Sequence, residues 1–336
     1  MSAMRDLVRA LRDPASVAGF DGPRWSALLS VARAEVLLGT LAHRLKGTAV
    51  PERVRETLDA AFAAADQAQR HALWEAEMVR RALAPLGIVP VLLKGTAYAA
   101  AGLGAAKGRQ IGDCDILVPR DRLPEVEAAL IDAGWEWVKD DPYDQSYYRE
   151  HMHELPPLIH RERDRMIDVH HTILPLTHRA RPDSAALLAD AVPVGDGMAA
   201  LSPLDRIIHC AAHLIADGEL DGGLRNLWDL HCLMMEQTGE GGDKWAALDA
   251  RAFHHGLQDV VRRAARLTHF LFATPVDPSW IEHAFGDPFF LARLLARDDW
   301  GRERRRGLRL AFYMRSHWMR MPPVMLAKHL WTKSRR

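Results

Sequence analysis

Asp113 and Asp115, two residues apart in the stretch GDCDILV, are the first residues whose type and spacing have a chemical consequence. In a β-strand, residues i and i+2 leave the same side about 6.6–7 Å apart along the chain. The spacing therefore predicts that both carboxylates project from one exposed strand face while Cys114 and Ile116 turn into the core. Carboxylates so arranged hold a pair of divalent ions, and two ions about 3.5–4 Å apart stabilise both the attacking and the leaving oxygen of an in-line phosphoryl displacement. A third acid from a neighbouring strand completes such a cage; Asp168, in the apolar run MIDVHH, stands in that setting. Oxygen ligands of this kind select Mg2+ or Mn2+ over zinc. Upstream, Gly95 and Thr96 sit where an apolar run, IVPVLLKG, opens into TAYAAAGL. Backbone amides and a hydroxyl at such a turn suit phosphate oxygens, and Lys94 and Arg109 add positive charge nearby. His170, two residues beyond Asp168 and on its face, is expected to contact a carboxylate or a phosphate.

Other motifs compete for the same residues. A lone acid-x-acid pattern is common on surface strands; its weight comes from Lys94–Thr96 before it and the Asp168 strand after it. The glycines of GLGAAKG follow a predicted helix, whereas a dinucleotide fingerprint follows a strand and opens a helix, so this segment is expected to be a flexible loop. No GxxxxGK[ST] motif occurs. His151, His153, His160, His170 and His171 gather around Asp168, but without the HExxH spacing of a zinc hydrolase their ligation of a metal is not favoured. His209 and His213, four apart, are expected at a domain seam, and Asp229 and His231 either pack helices or line the cleft.

These side chains need a small sheet to hold them. Apolar residues at helical spacing predict two or three helices between Arg24 and Pro85, with Pro51 at a first helical position and Gly87 just past an end. Strands follow at 88–94, 113–118, 135–138, in HELPPLIH and in MIDVHHTI; after Ser202 almost everything has helical periodicity. The expected fold class is α+β (α/β), with a helical region at 1–86, a small mixed-sheet core at 87–200 and a helical domain with a basic tail at 201–336.

Composition places limits on all of this. With 336 residues, 48% hydrophobic and 26% charged, the chain is long and apolar enough to bury a core without staples, which excludes a disordered or collagen-like protein. Three cysteines far apart support no disulfide framework, and no apolar run reaches the ~20 residues of a membrane span; the expected setting is cytoplasmic. The net charge of zero hides an asymmetry: residues 301–336 carry eleven Lys or Arg against Glu303 alone, so this tail stands at +10 and residues 1–300 at −10. Nucleic-acid or membrane contact is thus a property of residues 301–336, although the apolar content of that segment favours docking on the acidic body.

LKGTAYAA, RQIGDCDILV and IDVHHTILP together resemble the uncharacterised nucleotidyltransferase family of the DNA-polymerase-beta-like nucleotidyltransferase superfamily, and SPLDRIIHCAAH and LRNLWDLHCLM extend the resemblance to about residue 235. It implies a small mixed-sheet polymerase-beta-like core. Gly95 and Thr96 match the glycine-plus-hydroxyl turn, Asp113 and Asp115 the metal-binding pair, Asp168 the third carboxylate, and Lys94, Arg109 and His170 positions typical of this branch. The expected activity is metal-dependent transfer of a nucleoside monophosphate from an NTP to an unknown small-molecule or macromolecular acceptor, releasing pyrophosphate. Asp113, Asp115 and Asp168 would be catalytic and hold Mg2+ or Mn2+, and Lys94, Gly95, Thr96, Arg109 and His170 would bind the nucleotide. Two alternatives stand beside it: a nucleotide- or sugar-phosphate-binding module without catalysis, and a peripheral adaptor acting through its tail.

Overall fold

Local punctuation starts several of the helices. Asp21 accepts from the Arg24 amide and Pro23 follows it, opening α2 (Gly22–Ala34) behind α1 (Ala3–Arg12). After α3 (Leu38–Arg44), Pro51 caps the 32-residue α4 (Glu52–Leu83) from just outside it, one step before the expected first helical position. In α4 the buried residues Val54, Leu58, Ala65, Ala68, Ala72, Ala76, Val79 and Leu83 recur at spacings of three, four and seven, one apolar stripe along a helix otherwise rich in Arg and Glu. The three helices α2 to α4 match the expectation for this region, and α1 is an addition to it. The computed structural model describes residues 2–138, 141–220, 222–237, 244–282 and 284–320.

The middle of the chain then alternates: β1 (Val91–Leu92), α5 (Lys94–Ala100), β2 (Asp113–Leu117), α6 (Leu123–Asp132), β3 (Trp135–Trp137), α7 (Pro142–His151), β4 (Leu158–His160), β5 (Met166–His170), α8 (Ser184–Ala189), β6 (Val192–Pro193) and β7 (Ala199–Ala200). They form one mixed seven-stranded sheet in the order β3-β4-β5-β2-β1-β7-β6. β2 is parallel to β5 and β1 to β7, and the remaining pairs are antiparallel. The pair β6 and β7 lacks an alternating apolar signal, and it closes the edge beside β1. The expected α+β class holds: one mixed sheet flanked by helices on both sides in sequence.

Ser202 caps α9 (Pro203–Ala211) through the Asp205 amide; α9 runs on into a π-helical turn, Ala212–Asp217. There follow α10 (Gly223–Gln237), α11 (Lys244–His254), α12 (Gln258–Phe272), α13 (Asp287–Leu294) and α14 (Arg306–Arg320). α10 packs on α9, α12 and a short turn at Gly104–Ala106, while α4 lies against α5, α6 and β2. One continuous apolar cluster runs from Met4 through the strands to Phe312, so the helical parts and the sheet share a core.

One expectation is corrected here. GLGAAKG is a packed turn and not a flexible loop: Ala105 and Ala106 are buried, and Gly108 (φ +70°) lies so close to Gly39 that a Cβ would stand 2.2 Å from its carbonyl oxygen. The expected docking of the tail on the body is met as far as Arg320, where α14 buries Phe312 and Ser316; the rest of the tail, 321–336, lies outside the described residues.

Candidate active site

The parallel pairing of β2 with β5 decides where the acids meet. Its register sets Asp115 beside Asp168 and Asp113 beside Met166. Neighbouring strands are only about 4.8 Å apart. Asp113, Asp115 and Asp168 each bring one carboxylate oxygen into a group whose members all lie within 4.8 Å of one another. Asp113 is exposed at the start of β2 and Asp168 is half-buried, but Asp115 is only 2% exposed. The expectation of a shared exposed face is therefore corrected: Lys94 and His170 cover Asp115.

Those two neighbours define its electrostatics. Lys94 Nζ donates to Asp115 Oδ1 at 2.6 Å, and His170 Nε2 lies 3.0 Å from the same oxygen. Burial pushes the Asp115 carboxyl up, yet the Lys94 ammonium and the His170 contact hold it well below the usual carboxylate range. Burial would likewise push Lys94 down, but Asp115, with Asp113 and Glu154 further off, holds its ammonium above the usual lysine range. Asp168 moves the other way. Burial first, then the charges of Asp115 and Glu154, push its carboxyl up to about 7, and its buried Oδ1 has no hydrogen-bond partner among the described residues. Four carboxyl groups thus surround one ammonium and the His170 ring. An all-oxygen donor set with an orphaned, charge-crowded carboxylate fits a hard divalent cation.

The other expected residues serve the turn before β2. Lys94 opens α5 with φ +47°, a left-handed conformation uncommon outside glycine. Gly95 is packed under Arg109, where a Cβ would stand 1.9 Å from Nη1. Arg109 is buried and its Nε donates to Asp229 Oδ2 on α10 at 2.9 Å, so Asp229 is a packing partner of the core. The buried Thr96 hydroxyl donates to the Asp113 carbonyl at 3.2 Å. Gly95, Thr96 and Arg109 position the acid-bearing strand β2 and contact protein groups.

Three side chains near the carboxylates, Glu154, His209 and His213, were not among the expected site residues. Glu154 pairs with His170 as an isolated antiparallel bridge and brings Oε2 to 3.5 Å from His170 Nε2 and 3.7 Å from His153 Nε2. The signal for it is an acid beside histidine in HELPPLIH, one strand away from Asp168. His209 on α9 and His213 on the π-helical turn lie near the same acids. Burial pushes both down, His213 to about 3, and they are close enough to feel the charges of Lys94 and Asp115.

A family model described as Uncharacterised nucleotidyltransferase matches residues 21–273 of the chain, from α2 to the end of α12. No curated protein and no solved structure matches it.

Proposed function

From its membership of the uncharacterised nucleotidyltransferase family, to which the chain belongs, and from the carboxylate geometry, we propose that it transfers a nucleoside monophosphate from an NTP to an acceptor hydroxyl or phosphate, releasing pyrophosphate. The observation that carries this reading is the convergence of Asp113, Asp115 and Asp168 with an unpartnered buried oxygen on Asp168. These three would hold Mg2+ or Mn2+, which supplies charge neutralisation at the attacking and leaving oxygens. Lys94 and His170 hold Asp115 through its Oδ1. Lys94 also presents the positive charge nearest to an incoming triphosphate. Gly95, Thr96 and Arg109 complete the nucleotide side by holding the strand-to-helix turn in place. Besides holding the ion, Asp168 takes up the acceptor's proton in this reading. In this reading residues 87–200 are the transfer core, 1–86 buttress it, and the helices that follow within the family range supply the acceptor pocket.

The test is pyrophosphate release by the full chain with each NTP and Mg2+, with and without a metabolite extract as acceptor source. Release with at least one NTP should fall by on the order of 10²-fold or more in Asp113→Asn, an exposed position. No release under any condition, or undiminished release by the Asp113→Asn variant, overturns the reading. One observation favours binding without turnover: the 2.6 Å contact of Lys94 with Asp115 already neutralises one of the three acids. Saturable NTP binding with no pyrophosphate formed would select that second reading.

A further inference from the structure

A concavity of the described residues lies away from the carboxylates, and every residue lining it is outside the 21–273 range of the family model. It holds about 820 Å³ between α1, α13 and the segment leading into α14. Leu291 and Leu295 form an apolar floor, and Arg5, Arg297, Arg304 and Arg305 stand around it with no acid in the lining. Arg297 is paired with Glu35, and Arg304 lies 3.9 Å from Asp298. Arg5 and Arg305 are exposed and have no acidic partner among the described residues.

Between Arg297 and Arg304 the chain makes a tight turn, closed by the Asp298 amide on the Arg302 carbonyl at 2.9 Å, with Trp300 on it at 74% exposure. Immediately after Arg305, α14 turns Phe312 inward onto Phe290, ring centroids 5.0 Å apart. Its other side carries Leu310, Met314 and Trp318 at 57, 61 and 51% exposure, one helical stripe, with exposed Arg306 and Arg309 at its start. Aliphatic side chains, an exposed tryptophan and arginines in one 20-residue stretch are the composition of a surface that lies in a lipid headgroup region.

We propose that this end of the molecule docks on an anionic phospholipid bilayer, with a lipid phosphate between Arg5 and Arg305 over the apolar groove. Trp300 and the Leu310–Met314–Trp318 stripe would sit in the interface. Charge complementarity argues for this occupant: the described residues 301–320 carry seven Arg against Glu303 alone while residues 1–300 stand at −10, so an anionic surface orients the molecule with this segment toward it. A nucleic acid would satisfy the arginines but leave the leucine floor, Leu310 and Met314 in water, since aliphatic side chains offer bases no stacking platform. The inference is independent of the transfer chemistry.

The test is co-sedimentation of the full chain with phosphatidylcholine vesicles, with vesicles containing phosphatidylglycerol, and, separately, RNA binding. Sedimentation with the anionic vesicles alone is expected, weakening with salt. Arg5→Glu with Arg305→Glu should lower partitioning by on the order of tenfold or more, each basic group near an anionic surface being worth about fivefold. Met314→Glu should do the same by placing a charge in the interface. Both variants alter exposed side chains and should keep the wild-type melting temperature and NTP-dependent pyrophosphate release, which separates failure here from failure of the transfer reading. Equal binding to both vesicle types, binding to neither, or a loss of RNA binding in place of vesicle binding overturns the proposal.

Discussion

Asp168 and Asp115 face each other across one strand pair, yet their environments push them in opposite directions. For Asp168 the folded-state value of about 7 lies above the ordinary carboxyl range near 4, so between these pH values the folded protein holds a proton that the unfolded chain has lost. Stability therefore falls as pH rises from about 4 to about 7, and above 7 the full penalty of a buried, crowded anion remains, at most about 4 kcal/mol. Asp168→Asn should consequently melt a few degrees higher than wild type at pH 8, with a smaller gain at pH 5.5, while losing transfer activity. Mg2+ should raise the wild-type melting temperature and leave the variant unmoved. Proton and ion compete for the same carboxyl, so Mg2+ affinity should grow with pH up to about 7 and then level. An Asp168→Asn protein that melts lower at both pH values would show that this carboxylate serves the fold. Asp115→Asn has the opposite expectation: it strands the Lys94 ammonium without its buried partner, a loss of about 3–5 kcal/mol. Urea unfolding measures that loss, and it makes Asp113 the cleaner position for asking about chemistry alone.

Among the elements, the turn from β1 into α5 depends on a contact with α10. Gly95 has room for Arg109 only because it lacks a Cβ, and Arg109 in turn spans to Asp229. Gly95→Ala should push the guanidinium off, leave Asp229 buried without its cation, and lower stability by about 3 kcal/mol or more together with transfer activity. Denaturant unfolding and pyrophosphate release, measured on one preparation, check the two losses; a Gly95→Ala protein unaffected in both would mean the turn does not rely on this strut. The same contacts show what was legible in the sequence. The two-residue spacing of Asp113 and Asp115 and the apolar run around Asp168 marked the acids because period two is written locally. The register that sets Asp115 beside Asp168 joins residues more than fifty positions apart, and it follows from the strand order of the whole sheet. Lys94 was recognisable as a cation near a turn. Its left-handed backbone, which accompanies the contact with Asp115, has no signature in LKG. GLGAAKG looked loose for a similar reason: the partner of Gly108 is Gly39, nearly seventy residues away.

At the scale of the whole molecule, α14 fastens the basic segment, as far as Arg320, to the acidic body. Its inner face bears on two places at once. Phe312 meets Phe290 edge to face, and Arg315 lies 5.0 Å over the same Phe290 ring while Nη2 donates to the Ile215 carbonyl at 2.6 Å. Ile215 belongs to the π-helical turn that also carries His213, the imidazole close enough to feel the charges of Lys94 and Asp115. The helix outside the family range thus buttresses a segment that borders the carboxylates. Truncating Phe312 to Ala opens a cavity in a buried aromatic pair and should lower stability by about 3–5 kcal/mol, read as a shift in the urea midpoint with an unchanged slope. Loosening α14 also frees the Ile215 carbonyl, so transfer should slow even where the Phe312→Ala protein remains folded, and vesicle binding through the outer stripe should weaken as that stripe loses its rigid backing. An independent arm behaves differently: Phe312→Ala would leave both the midpoint and the turnover unchanged and touch vesicle binding alone.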